Sequence, residues 1–152
     1  MDKGHKLYIA YGSNLNLARM ADRCPTAAVA GASELSGYRL LFRGPHAGAV
    51  AAVEPFKGGR VPVLVWAITP ADEAALDRYE GFPERCSKEQ AKVRLDGRTV
   101  TAMLYLVNER TLPGRPGAYH YESILEGYAA AGFDTELLRK ALLDSIEMAD
   151  SL

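Results

Sequence analysis

Up to residue 107 the chain reads as a series of short β-rich runs cut apart by turn residues, and its longer helical segments come late. The clearest cut is Asp96-Gly97, between apolar runs at residues 90–95 and 99–107. Asp-Gly suits the positive φ angles of a two-residue hairpin turn. Earlier runs occupy residues 7–11, 28–35, 38–43, 49–54 and 61–68. Ser36-Gly37 separates the second from the third. Lys57-Gly58-Gly59-Arg60 reads as a hairpin turn between the last two. Pro62, which has no amide to donate, places its run at an edge or a bulge. Hairpin-linked strands followed by helices predict an α+β fold: a small, mixed, mostly antiparallel β-barrel with flanking helices.

Four segments carry helix signals. Asn14 or Asn16 can cap a helix over residues 17–23, which Pro25 ends. Thr69-Pro70-Ala71-Asp72 combines a capping threonine, a proline at the first position and an acid in the first turn. That helix runs to Glu80, where Gly81 stops it. Residues 119–131 and 134–148 form two more, divided by Gly132 and capped by Asp134. With 152 residues, no internal repeat and no linker, residues 1–152 read as one domain.

Bulk composition excludes several functions. Eighteen basic residues against nineteen acidic give a net charge of -1, so the basic face of a nucleic-acid binder is not expected. Cys24 and Cys86 lie far apart without metal-site spacing and read as reduced, partly buried thiols. Neither a metal nor a cofactor is expected. The charged segment Met1-Asp2-Lys3-Gly4-His5-Lys6 leads straight into a strand, with no apolar signal region after it. No apolar run approaches the ~20 residues of a membrane span. The expected location is the cytoplasm, as a monomer or homodimer.

Two places carry chemistry. In Tyr11-Gly12-Ser13-Asn14 a glycine breaks a strand just before a helix. Glycine allows a sharp turn and a close approach to a ligand. The amides of Gly12, Ser13, Asn14 and Leu15 would then face outward and bind a carboxylate or an oxyanion. The same residues also fit a plain strand–turn–helix with a capping Ser or Asn. Glu80 lies in the last helical turn, where the helix dipole disfavours a carboxylate. Ala75, Leu76 and Tyr79 form the apolar face, and Glu80 sits at its border. Partial desolvation would raise its pKa towards neutrality, as a proton carrier requires. The other reading is an exposed glutamate paired with Arg78 or Arg85. His5, His46 and His120 are scattered. No G-x-S-x-G elbow, phosphate loop or dinucleotide fingerprint occurs.

Taken together, several segments resemble the γ-glutamylcyclotransferase family, which includes the AIG2-like proteins. They are Tyr8-Ile9-Ala10-Tyr11-Gly12-Ser13-Asn14-Leu15, Ala49-Val50-Ala51-Ala52-Val53, Val65-Trp66-Ala67-Ile68, Leu76-Asp77-Arg78-Tyr79-Glu80-Gly81-Phe82-Pro83, and the late helix with Ile124 and Gly127. The resemblance implies a small β-barrel with flanking helices. It implies that Tyr8, Ile9, Ala10, Tyr11, Gly12, Ser13, Asn14 and Leu15 cradle a γ-glutamyl group while Glu80 acts as the general acid/base. It also implies a pocket tyrosine at the start of the late helix. The register falls nearest His120, with Tyr121 favoured over Tyr119. The implied reaction converts a γ-glutamyl amino acid or γ-glutamyl amine to 5-oxoproline and the free amine. The alternative is a non-catalytic AIG2-like binding module for a carboxylate-bearing ligand or a protein partner.

Overall fold

The computed structural model describes residues 5–108 and 110–152. The charged segment from Met1 to Gly4, expected to lead directly into the first strand, lies outside the described residues. The elements run β1 (Lys6–Ala10), a 3-10 turn (Ser13–Leu15), α1 (Leu17–Arg23), β2 (Ala28–Arg43), β3 (Val50–Ile68), α2 (Pro70–Glu80), β4 (Cys86–Leu95), β5 (Arg98–Val107), α3 (Ala118–Ala131) and α4 (Thr135–Asp150). Helices α1 and α2 have the bounds read from their caps. Asn16 accepts from the Arg19 amide. Thr69 and Asp72 form a capping box ahead of Pro70, and Gly81 closes α2 in the left-handed conformation.

The five strands form one sheet in the order β2-β3-β1-β5-β4. β1 pairs antiparallel with β3, from Lys6↔Ile68 to Ala10↔Leu64. It pairs parallel with β5 at Tyr8↔Met103, so the sheet is mixed. The expected barrel is instead an open, strongly curled sheet. Among the described residues no hydrogen-bonded ladder joins β2 to β4. Their side chains meet: the Ser33 hydroxyl donates to the Arg94 carbonyl, and a Cβ on Gly31 would come 2.7 Å from Leu95 Cδ1.

The first half of the sheet also differs from the sequence reading. Ser36-Gly37 does not separate two strands, and Lys57-Gly58-Gly59-Arg60 does not connect two. β2 and β3 are single long strands joined by the loop of residues 44–49. Ser36 pairs with Arg60 and Tyr38 with Pro55, so the two glycine-containing stretches face each other across an irregularity in one ladder. Such an irregularity bends a strand and sharpens its twist, which is what curls this sheet. Pro62 pairs only towards β2, because β1 reaches β3 only from Leu64 onward.

The core lies inside the curl, with fully buried Ile9, Leu35, Val65, Leu76, Leu104 and Tyr128. Phe42 and Trp66 are buried core rings, as read. Helix α4 is tied to β2 by buried Ser145, whose hydroxyl accepts from the Phe42 amide at 2.8 Å and donates to the Ala141 carbonyl at 2.7 Å. Helix α3 lies on the turn after β1. A Cβ on Gly127 would stand 2.7 Å from Leu15 Cβ and 2.8 Å from its carbonyl carbon. Gly127→Ala would force this backbone contact apart. We expect a loss of about 1–3 kcal/mol, the usual scale for overpacking a filled core, read as a lower urea midpoint at unchanged slope.

Candidate active site

A cavity of about 650 Å³ opens between the curled sheet, the end of α2 and the start of α3. The segment after β1 forms one wall. Tyr8, Tyr11, Gly12, Ser13 and Asn14 line it, whereas Ile9, Ala10 and Leu15 are fully buried behind it. Gly12 has a φ of -124°, so it is not glycine for a left-handed turn. Its need is space, since a Cβ would lie 3.0 Å from Ala51 Cβ on β3. The turn differs in one respect from the expected row of four outward amides. The Leu15 amide bonds the Gly12 carbonyl and the Asn16 amide bonds the Ser13 carbonyl, each at 3.0 Å. Among the described residues the Ser13 and Asn14 amides have no recorded partner within the chain. These are the donors that remain for an anion.

The polar side chains of the loop are mostly engaged with each other. Asn14 is 2% exposed. Its Nδ2 donates to Tyr8 Oη at 2.9 Å, its Oδ1 accepts from Arg23, and its carbonyl accepts from Trp66 Nε1 at 3.1 Å. Arg23 also donates to Ser13 Oγ at 3.1 Å, and Ser13 Oγ lies 3.1 Å from Tyr79 Oη. Tyr11 Oη donates to the Tyr105 carbonyl at 2.6 Å. Burial first, and then the neighbouring Glu80, push both the Tyr8 and Tyr11 phenols well above their usual 10. They act as neutral hydroxyls at any physiological pH.

Glu80 faces this loop from the end of α2. Charge ties the helix to strands β1, β4 and β5. Lys88 Nζ sits 2.6 Å from Glu73 and 2.8 Å from Asp77, Lys6 Nζ sits 2.8 Å from Glu73, and Tyr105 Oη donates to Asp77 at 2.6 Å. Glu80 itself has no cation within salt-bridge range among the described residues, and neither Arg78 nor Arg85 pairs with it. Cys86 Sγ lies 4.0 Å from its Oε2. Burial raises the Glu80 pKa from 4.5 to about 7, a rise that Arg23 partly offsets. Tyr79 is not core as its place on the helix suggested: it is 43% exposed, with the Arg23 guanidinium 3.5 Å above its ring.

At the start of α3 it is His120 that lines the cavity. Its Nε2 accepts from the Ala51 amide at 3.2 Å, and burial lowers its pKa, so it is a neutral acceptor. Tyr119 and Tyr121 point elsewhere, because successive helical residues are turned about 100° apart. Tyr119 is 64% exposed beneath Arg19, and Tyr121 packs against Phe42 with centroids 6.1 Å apart. Arg43, Glu84, Arg85 and Asn108 complete the rim. No local pattern marked them, since the fold gathers them from the end of β2, the loop between α2 and β4, and the end of β5. Both cysteines are free and buried. Among the described residues no group of three or more His, Cys, Asp and Glu side chains is arranged to hold a metal. No described helix is long and apolar enough to cross a membrane.

Residues 8–125 match the family model "Gamma-glutamyl cyclotransferase, AIG2-like", and the chain belongs to that family of enzymes. A curated relative, gamma-glutamylcyclotransferase from Bos taurus, is 28% identical over 95% of this chain and 80% of its own length. A solved gamma-glutamyl cyclotransferase superposes with a TM-score of 0.78 at 26% identity, covering 90% of this chain and 86% of that one. An uncharacterized Homo sapiens protein does so at 0.79 and 26%, covering 91% and 87%.

The raised pKa of Glu80 has a cost in stability. The folded chain holds the proton more tightly than the unfolded one, so stability declines as pH rises from about 4.5 to about 7 and is level above that. Glu80→Gln is expected to match the wild type at pH 4.5 and to exceed it at pH 8 by roughly 1–3 kcal/mol, in urea titrations at the two pH values. Equal stabilities at both would show that Glu80 is not desolvated.

Proposed function

We propose that this enzyme closes the γ-glutamyl group of a γ-glutamyl amino acid or γ-glutamyl amine into 5-oxoproline, with Glu80 as the one proton carrier. The observation that carries the reading is the position of Glu80. It is a half-buried carboxyl with a pKa near 7, lining one cavity together with Ser13 and Asn14, whose amides have no hydrogen-bond partner among the described residues. The family and the names of the relatives support the same chemistry.

Nucleophile and electrophile belong to one molecule, so the protein's first task is to fold the substrate into a reactive conformer. Tyr8, Tyr11, Gly12, Ser13 and Asn14 form the cradle, with Ile9, Ala10 and Leu15 supporting it from behind. His120 closes the α3 side, flanked by Tyr119 and Tyr121. Ionised Glu80 takes a proton from the α-ammonium. The freed amine attacks the γ-carbonyl carbon, and the resulting oxyanion lies against the Ser13 and Asn14 amides. The bond to the leaving nitrogen then breaks as Glu80 returns the proton to it; the ring nitrogen gives its second proton to the carboxylate so re-formed, and that proton departs with the amine as its ammonium. Proton, ring and amine all balance, and no step calls for a metal or a cofactor. Ser13 positions and does not attack.

With γ-glutamyl-alanine as substrate, Glu80→Gln is expected to lower kcat/KM by about 10²–10⁴, the usual contribution of a positioned acid/base. Wild-type kcat/KM should rise with pH through about 7, where Glu80 ionises. Release of 5-oxoproline measures both. Near-normal turnover by Glu80→Gln would remove Glu80 from the mechanism.

A further inference from the structure

The two halves of the candidate site come from different parts of the chain, and one side chain outside the cavity touches both. Arg23 is the last residue of α1. Its Nη1 donates to Ser13 Oγ at 3.1 Å and to Asn14 Oδ1, and both residues line the cavity. Its guanidinium plane lies 3.5 Å from the centroid of Tyr79, the residue just before Glu80. Tyr79 Oη meets the same Ser13 Oγ at 3.1 Å. Arginine, Ser13, Asn14 and Tyr79 thus make one closed unit.

Arg23 has no carboxylate within salt-bridge range among the described residues. A cation left without an ion pair, yet engaged through one terminal nitrogen and its face, is committed to geometry and to the field it projects. We propose that Arg23 is a positioning residue of the ring-closure reaction, fixing the loop of Ser13 and Asn14 against the Glu80 end of α2. This inference rests on the reading of Glu80 as the proton carrier.

The groups around Glu80 make Arg23 distinctive. Tyr8 from β1, Tyr11 just after it and Tyr105 from β5 are neutral phenols there. Cys86 from β4 is a thiol whose pKa burial pushes up to about 11. His120 from α3 is a neutral imidazole, and Glu84 and Arg85 sit on the rim. Arg23 is the cation whose charge lowers the Glu80 pKa.

The test uses three variants of the full chain with γ-glutamyl-alanine, each checked for cooperative unfolding. Arg23→Gln removes charge, fork and stacking. It is expected to lower kcat about 10–100-fold, the scale of a small misplacement in an oriented site, and to move the acid limb of kcat/KM upward in pH. Arg23→Lys keeps the charge and loses the planar fork. Its limb should stay near the wild-type position while kcat remains depressed. Tyr79→Leu removes the stacking platform and the bond to Ser13 but leaves the charge, so kcat should fall without an upward limb shift. A folded Arg23→Gln with kcat and limb within twofold and ~0.2 pH units of wild type overturns the proposal. If Arg23→Gln does not fold, a Tyr79→Leu variant with wild-type kcat overturns it equally. A wild-type protein that releases no 5-oxoproline from any γ-glutamyl donor instead removes the underlying reading and this inference with it.

Discussion

Asn14 holds the active-site turn in place. Its side-chain nitrogen reaches Tyr8 on β1, its side-chain oxygen reaches Arg23 on α1, and its carbonyl takes the Trp66 indole proton from β3. A buried amide left unpaired would cost about 1–3 kcal/mol per group, so this convergence is strongly specified. It also decides what Asn14 does. The side chain is consumed by the scaffold, and what remains for a ligand is the backbone amide. In the proposed mechanism the turn binds through its main chain, because its side chains are occupied in shaping it.

The other half of the site is made by the opposite treatment of charge. Along α2, Glu73 and Asp77 are matched by Lys6 and Lys88. One turn later Glu80 has no such partner among the described residues and lies where the helix dipole opposes its ionisation. The paired acids fix the helix. The unpaired one is left with a proton affinity that suits transfer at neutral pH. On the proposed role of Glu80, anchoring and proton transfer are separated along a single helix by which carboxylates are given a lysine.

The helices were legible because their signals are local. Asn16, Thr69-Pro70 and Gly81 act within four residues of the boundaries they set. Ser36-Gly37 and the stretch from Lys57 to Arg60 misled for the same reason. Their turn chemistry is real, but the chain uses it to bend two paired strands, and only the pairing shows that. Glu80 and the loop of Gly12 to Asn14 were legible by their place at element ends and by resemblance. Arg23 reads in sequence only as a cation in a last helical turn, and His120 as one of three scattered histidines. Their roles come from contacts with residues 9 to 69 positions away, which no local window contains. Counting along α3 placed the pocket position nearest His120, but the preference for Tyr121 followed residue type, whereas rotation about α3 is set by what the helix packs against.

Helix α3 has a consequence for the shape of the cavity. Gly127 rests against Leu15 on the turn, and His120 is fixed to Ala51 on β3. Both contacts belong to one uninterrupted helix, and seven residues of helix measure about 10 Å. The helix is therefore a ruler laid between the loop and the sheet. Insertions in the surrounding loops can alter the rim without changing that span. A relative with a different α3 contact residue would have to change the span itself to admit a group of different length on that side.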